Sequence, residues 1–354
     1  MKKTVIAIAL LISILLPNAS YAAENDTDMK RSQSETVVYL DDHTYYVVPP
    51  EDFDPLIASD AELKKYGFPE RPNDEEGLAF WESLYSVKPT FIEPVQKTVT
   101  DWHSSRLELA PDLADEKSLG NAIRNTNSLN WSGVVINSNA NIVSSGANCI
   151  ITIPTISADA SYRPASCAGW VGLGGTGGNS LAQLGFVGEV DGSGSVTYKV
   201  WHETVGTNVY DQPVEISSFS LSPGDSLFLS VWLDFSATSG LDIHYYFYNQ
   251  SQYSYTNVVV NVTSYSNFTS SAEWIMERKS TGSYTYDNLA KPTTSSSDIM
   301  SFSSCNYKNM LNSNAWTTAA GGTVYDMVNI LYIKLAQGSS FSSGAMSVSW
   351  KKYK

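Results

Sequence analysis

Basic residues are scarce in this chain. Its 22 Lys and Arg stand against 36 Asp and Glu, a formal net charge of −14. A nucleic-acid binder presents a basic face, and no segment here supplies one. Histidine is scarcer still: His43, His103, His202 and His244 are all that 354 residues contain. His202-Glu203 opens like a zinc-protease motif, but the second histidine of His-Glu-x-x-His falls at position 206, which is Gly206. A serine triad would have to recruit His202 or His244, and no Gly-x-Ser-x-Gly elbow is present. The paired Asp-Thr/Ser-Gly motifs of aspartic proteases are also missing. Residues 174–178 are glycine-rich but lack the lysine and the following helix of a phosphate loop. The three cysteines, Cys149, Cys167 and Cys305, include no Cys-x-x-Cys, so neither a zinc ribbon nor a thioredoxin-type pair is indicated. Cys149 and Cys167 flank one loop and are candidates for a disulfide that leaves Cys305 free; spacing does not settle connectivity. No metal or organic cofactor is implied.

Long apolar runs are confined to the N-terminus. Lys2 and Lys3, an apolar core over residues 5–16 and the small-x-small sequence Ser20-Tyr21-Ala22 read as a secretory signal over residues 1–22. The apolar stretch is about a dozen residues, against the ~20 that a spanning helix needs. The expectation is an exported protein, soluble and free of the membrane once the signal is removed.

The acidic excess is uneven. Residues 24–120 carry 22 acidic and 9 basic side chains, whereas residues 121–354 carry 14 and 11. The acidic part, residues 23–127, contains eight prolines and two helix-like patches at 60–66 and 74–85, which Ser59 and Asn73 are placed to cap. Two short helices on a Pro-rich chain make a poor independent core. This region is expected to be a propeptide or a permanent N-terminal extension.

Residues 128–354 read as strands throughout. Candidates are 131–136, 142–143, 149–153, 168–173, 182–190, 195–202, 226–235, 241–248, 256–265, 272–277, 323–335 and 345–353. They are rich in Val, Ile, Tyr, Trp and Thr, and many alternate with period two. Glycine-rich and Pro-Gly turns separate them. No helical period and no repeat appears, so the expectation is all-β: two packed antiparallel sheets in a jelly-roll or lectin-like β-sandwich.

Two polar side chains interrupt apolar strands. Gln183 lies in Leu181-Ala182-Gln183-Leu184-Gly185, and Glu273 in Ser271-Ala272-Glu273-Trp274-Ile275. Alternation places Glu273 on the face opposite Trp274. Periodicity leaves two readings: a carboxylate aimed into a cleft, or an ordinary surface glutamate. Gln183 likewise reads as functional or as a partner for a neighbouring backbone group.

Together with Asn130-Trp131-Ser132-Gly133, Trp170-Val171-Gly172-Leu173-Gly174 and Trp201-His202-Glu203, these segments resemble the glutamic peptidases, or eqolisins, in that family's order. The resemblance runs from about residue 130 to the C-terminus. It implies Gln183 and Glu273 as the catalytic pair, Trp131 and Trp170 as cleft walls, Glu203 as a second carboxylate near the site, polypeptide substrates, no cofactor and a monomer. It also implies a propeptide over residues 23–127, with a catalytic domain over 128–354. The chain departs from the pattern at Gly174 and Val187, where fungal members carry aspartates, which puts the pH profile and side-chain preference in question. The implied chemistry is direct water attack, with Glu273 as base and then acid and Gln183 as donor to the oxyanion. Two alternatives remain: a non-catalytic lectin-like module that uses exposed aromatics, and a glycosidase that uses Glu203 and Glu273 as its carboxylate pair.

Overall fold

The computed structural model describes residues 36–102, 107–110, 125–176, 180–206, 210–237, 240–262, 268–282 and 285–354. The expected signal over residues 1–22 lies outside them, as do parts of the expected propeptide over residues 23–127.

Two layers dominate. The front sheet runs Gln96–Thr98, Tyr210–Ile216, Val196–Val205, Leu181–Val190, Ala165–Gly174, Ser271–Glu277, Trp131–Asn137, Thr323–Val328 and Lys334–Gly338, each antiparallel to the next. The back sheet runs Ile299–Asn309, Ser144–Thr152, Ser226–Asp234, Leu241–Asn249, Ser254–Val262, Thr44–Val48 and Thr36–Tyr39, again antiparallel. Met346–Trp350 pairs with both Lys334–Gly338 and Ile299–Asn309. The two layers are therefore one ladder doubled over at that edge, and the expected all-β sandwich is what forms.

Period two sets the faces. Ala272, Trp274 and Met276 point into the interior with Val171, Leu184, Phe186, Leu229, Val231, Tyr245 and Val258. Ile275, between them, points to the outer front face with Trp131, Trp170, Trp201 and Tyr325. The outer back face carries Phe228, Trp232, Tyr246, Tyr248 and Tyr255.

The N-terminal helices sit on that back face. Helix Asp60–Lys65 starts in a capping box: Ser59 Oγ accepts from the Glu62 N–H, and Glu62 Oε2 accepts from the Ser59 N–H at 2.8 Å. In helix Glu75–Leu84 the cap is Asp74, not the expected Asn73; Asp74 Oδ1 accepts from Gly77 N at 2.8 Å. Both helices are too short to persist alone. Leu63, Trp81, Leu84 and Tyr85 are buried against the back-face aromatics, and each such side chain contributes roughly 1.5–3 kcal/mol. The segment owes its order to the sandwich.

Three expectations need correction. The strand read over 323–335 is two strands, Thr323–Val328 and Lys334–Gly338. Asn329 builds the turn between them by accepting from Leu331 N and Ile333 N. Ile330 and Leu331, 74% and 73% exposed, extend the apolar pattern without belonging to a strand. Strand Ile299–Asn309, not expected from sequence, is serine-rich and broken in register between Ser303 and Asn306, where Ser304 adopts φ 48°. Strand Tyr210–Ile216 was also not expected; Pro213 interrupts its pattern. Finally, Cys149 and Cys167 are not paired: all three cysteines are free and buried. Cys149 belongs to the back sheet and Cys167 to the front, and the neighbour that raises the Cys149 thiol beyond the effect of burial is Cys305 on the adjacent strand.

Candidate active site

Gln183 and Glu273 stand in one row across the front sheet. Both are Cα partners of Gly172, one from each side. Glu203 pairs with Gln183 on the next strand outward, and Val135 with Glu273 on the other side. The row therefore reads Glu203, Gln183, Gly172, Glu273, Val135. At ~4.8 Å per strand the two polar residues lie about 10 Å apart at Cα, with nothing but a glycine between them. A Cβ on Gly172 would sit 3.0 Å from the Trp170 ring, 3.1 Å from the Ala182 carbonyl oxygen and 3.3 Å from Gln183 Cβ. A larger residue at this point would press on Trp170 and Gln183. Gly172 was not singled out from the sequence; the available signal was a glycine inside an otherwise apolar strand.

The carboxamide is fixed. Gln183 Nε2 donates to Glu203 Oε2 at 2.5 Å. A carboxylate oxygen takes a donor, so this contact sets which end of the amide faces Glu203. Gln183 Oε1 has no hydrogen-bond partner among the described residues, and neither has either oxygen of Glu273. Glu273 is wholly inaccessible and Gln183 is 2% exposed. Burial pushes the Glu273 carboxyl well above the ordinary carboxylate range. Ser271 acts in the opposite direction on this carboxyl, and its hydroxyl is donated to the Gly174 carbonyl at 2.5 Å. Buried polar atoms left without partners cost stability, and such a cost is characteristic of functional positions.

An aromatic row lies one register step away. Trp201 and Trp170 both pair with Gly185, Ile275 links Trp170 to Gly133, and Tyr325 pairs with Gly133. Trp131 and Trp170 pack edge to face at 4.8 Å. Trp170 Nε1 donates to Glu277 Oε2 at 2.8 Å, which locks its orientation. Both expected cleft tryptophans are thus beside the pair and fully buried. Tyr325, which sequence reasoning did not select, is close enough for Glu273 to reinforce the upward push that burial exerts on its phenol. His202 points elsewhere: its Nε2 meets Gln96 Nε2 at 2.9 Å, and burial lowers its pKa to about 3.

The preceding segment reaches this face. Val99 and Trp102 join its apolar cluster, and Leu107 packs against it. Trp102 meets Trp201 edge to face at 4.6 Å. Asp101 Oδ2 accepts from Lys279 Nζ at 2.6 Å, and the Glu108 N–H is donated to Asn130 Oδ1 at 2.9 Å.

The departure at Gly174 has a steric cause. Its φ is 92°, and a Cβ there would lie 2.3 Å from the Ser180 carbonyl oxygen. An aspartate is excluded on this backbone. Val187, at the other departure, is packed in the front-face cluster.

The alternatives fit less well. Seven of the nine tryptophans are buried, so the described surface offers no aromatic platform of the kind a lectin needs. Glu203 and Glu273 are three strand spacings apart, about 14 Å at Cα, with Gln183 standing between them.

No curated protein matches the chain. Among solved structures, scytalido-glutamic peptidase with a transition state analog inhibitor aligns at TM-score 0.50 and 20% identity, over 63% of this chain and 98% of that one. SCP-B, a member of the eqolisin family of peptidases in complex with the tripeptide Ala-Ile-His, aligns at TM-score 0.47 and 21% identity, over 63% and 98%. The first likeness is one of fold. The Peptidase A4 family model matches residues 129–350, well over half of the chain and all five strands of the Gln183–Glu273 row. The chain therefore belongs to the Peptidase A4 family, the glutamic peptidases.

Proposed function

We propose that the protein is a secreted acid endopeptidase, made with the signal over 1–22 and activated from a covered precursor, in which Gln183 and Glu273 are the catalytic dyad. The observation that supports this reading is that the two residues flank Gly172 in one row on one face of the front sheet, with Gln183 Oε1 and both Glu273 oxygens unpaired among the described residues. Glu273 takes a proton from water as it attacks the peptide carbonyl, then returns a proton to the leaving amine. Gln183 holds the water through Oε1 and offers its second N–H to the oxyanion; the first is engaged by Glu203. No acyl-enzyme forms. The aromatic row flanks an extended polypeptide substrate, with Trp131 and Trp170 as walls.

The test is hydrolysis of denatured casein by purified, processed protein from strongly acidic to neutral pH, with an aspartic-protease inhibitor present. Inhibitor-resistant hydrolysis that is strongest in acid is expected. Folded, processed protein that binds glycans and cleaves nothing at any pH would overturn the reading.

Residues 99–102 and 107–110 act as the cover in this proposal, and their hold is pH-dependent in two opposed ways. The hydrogen bond from Lys279 lowers the Asp101 carboxyl below its ordinary range. Its contribution to the covered state is therefore complete above that range and is lost as pH falls through the lowered value. Glu273 is raised, so its burial favours the covered state in acid, and that advantage fades as pH rises through the raised value. Acid release requires the first effect, with other strap contacts, to exceed the second. Asp101 is 75% exposed, so its pair is worth about 1 kcal/mol or less. Asp101→Asn is expected to shift the onset of self-cleavage to higher pH and speed it up to about fivefold, read on gels of full-length protein incubated across pH. An unchanged onset would remove Asp101 from the trigger.

A further inference from the structure

The acidic N-terminal region is not one functional piece. Residues 99–102 and 107–110 reach the front face; residues 36–98, apart from the front-edge strand Gln96–Thr98, are built onto the back of the sandwich, and residues 35–354 form one compact unit.

The attachment of residues 36–98 is of three kinds. First, strands add to open edges: Thr44–Val48 pairs with Ser254–Val262 on the back sheet, and Gln96–Thr98 with Tyr210–Ile216 on the front. Second, Phe68, Trp81 and Tyr85 cover the back-face aromatics. Phe68 contacts Tyr246 and Tyr255 at ring distances of 5.3 and 4.8 Å, and Tyr85 stacks on Tyr248 at 5.5 Å. Third, polar groups of the sandwich find partners in the segment. Lys308, 2% exposed, meets Glu70 at 2.9 Å; the Tyr246 hydroxyl accepts from Tyr85; Asn257 Nδ2 donates to the carbonyls of Val47 and Tyr66. Stripping the segment would expose a contiguous aromatic face and leave these groups without partners, a surface that a monomeric protein does not tolerate well.

We propose that residues 36–98 remain as a permanent, non-covalently held second chain of the active enzyme. Hydrolysis of a peptide bond between residues 110 and 125 frees only the front-face strap. This rests on the reading of that strap as a removable cover, but not on the chemistry of the dyad.

The test uses the full chain carrying Glu273→Gln, with a recognition sequence for a site-specific protease placed within residues 111–124. After cleavage, the N-terminal fragment is expected to co-elute with the C-terminal fragment in equal amounts by size exclusion, at neutral and at acid pH. A C-terminal fragment that elutes folded and alone overturns the proposal. A second measurement guards against an altered linker: in the uncut natural chain, Phe68→Ala with Trp81→Ala should lower the midpoint of a single unfolding transition. A main transition that does not move would show that the segment is dispensable. Because neither readout is proteolysis by this protein, failure here is distinguishable from failure of the peptidase reading.

Discussion

Glu273→Gln is expected to reduce acid hydrolysis of a protein substrate by about 10³–10⁴-fold while leaving the melting temperature of the full-length protein nearly unchanged. The two halves of that expectation have one cause. In the covered chain the Glu273 carboxyl is wholly buried, and burial holds it neutral well above the ordinary carboxylate range. Neither oxygen has a hydrogen-bond partner among the described residues. A carboxamide of the same shape therefore removes no ion pair and strands no donor. What it cannot do is accept the proton of an attacking water. Loss of activity together with a large loss of stability would mean that Glu273 is structural, and intact activity would remove it from the mechanism. The same burial has a kinetic consequence. In the proposed mechanism, uncovering would admit water and return the carboxyl toward its ordinary range as it opens access for substrate.

Gln183→Ala is the second large effect, about 10²–10³ in kcat. The lost N–H acts on charge that develops in the transition state, so KM should change much less than kcat. This variant differs from the first in stability. Gln183 donates to Glu203 at 2.5 Å in a site where Glu203 is 1% exposed. Alanine removes that donor and is expected to cost about 1–3 kcal/mol, measured by chemical denaturation. An equal rise in KM with kcat preserved would assign Gln183 to substrate binding and leave the oxyanion without its donor.

The parts of the molecule that were legible in the sequence are those where a local pattern and the tertiary environment agree. Ser271–Glu277 alternates cleanly, so Trp274 inside and Glu273 outside follow from period two. The opposition of Gln183 and Glu273 across Gly172 did not follow: it depends on which strands neighbour which, and on a register no single strand encodes. Strand Ile299–Asn309 was illegible because a bulge at Ser304 breaks its period, and the apolar Ile330 and Leu331 misled because they lie in a turn. Asp74 displaced Asn73 as a cap by one residue, within the usual uncertainty of helix ends. The cysteines show the limit most plainly. Cys149 and Cys167 are close in sequence but belong to opposite layers, whereas Cys305, far away in sequence, lies on the strand paired with that of Cys149. The N-terminal helices were visible from their caps, whereas the aromatic face that holds them is spread over strands more than a hundred residues away.

The backbone at Gly174 bears on how this branch of the family could have diverged. An aspartate at this point would collide with the Ser180 carbonyl oxygen before it could contribute any charge, so the substitution alone is expected to cost stability. A laboratory search for altered pH preference at this position should therefore vary backbone and charge together.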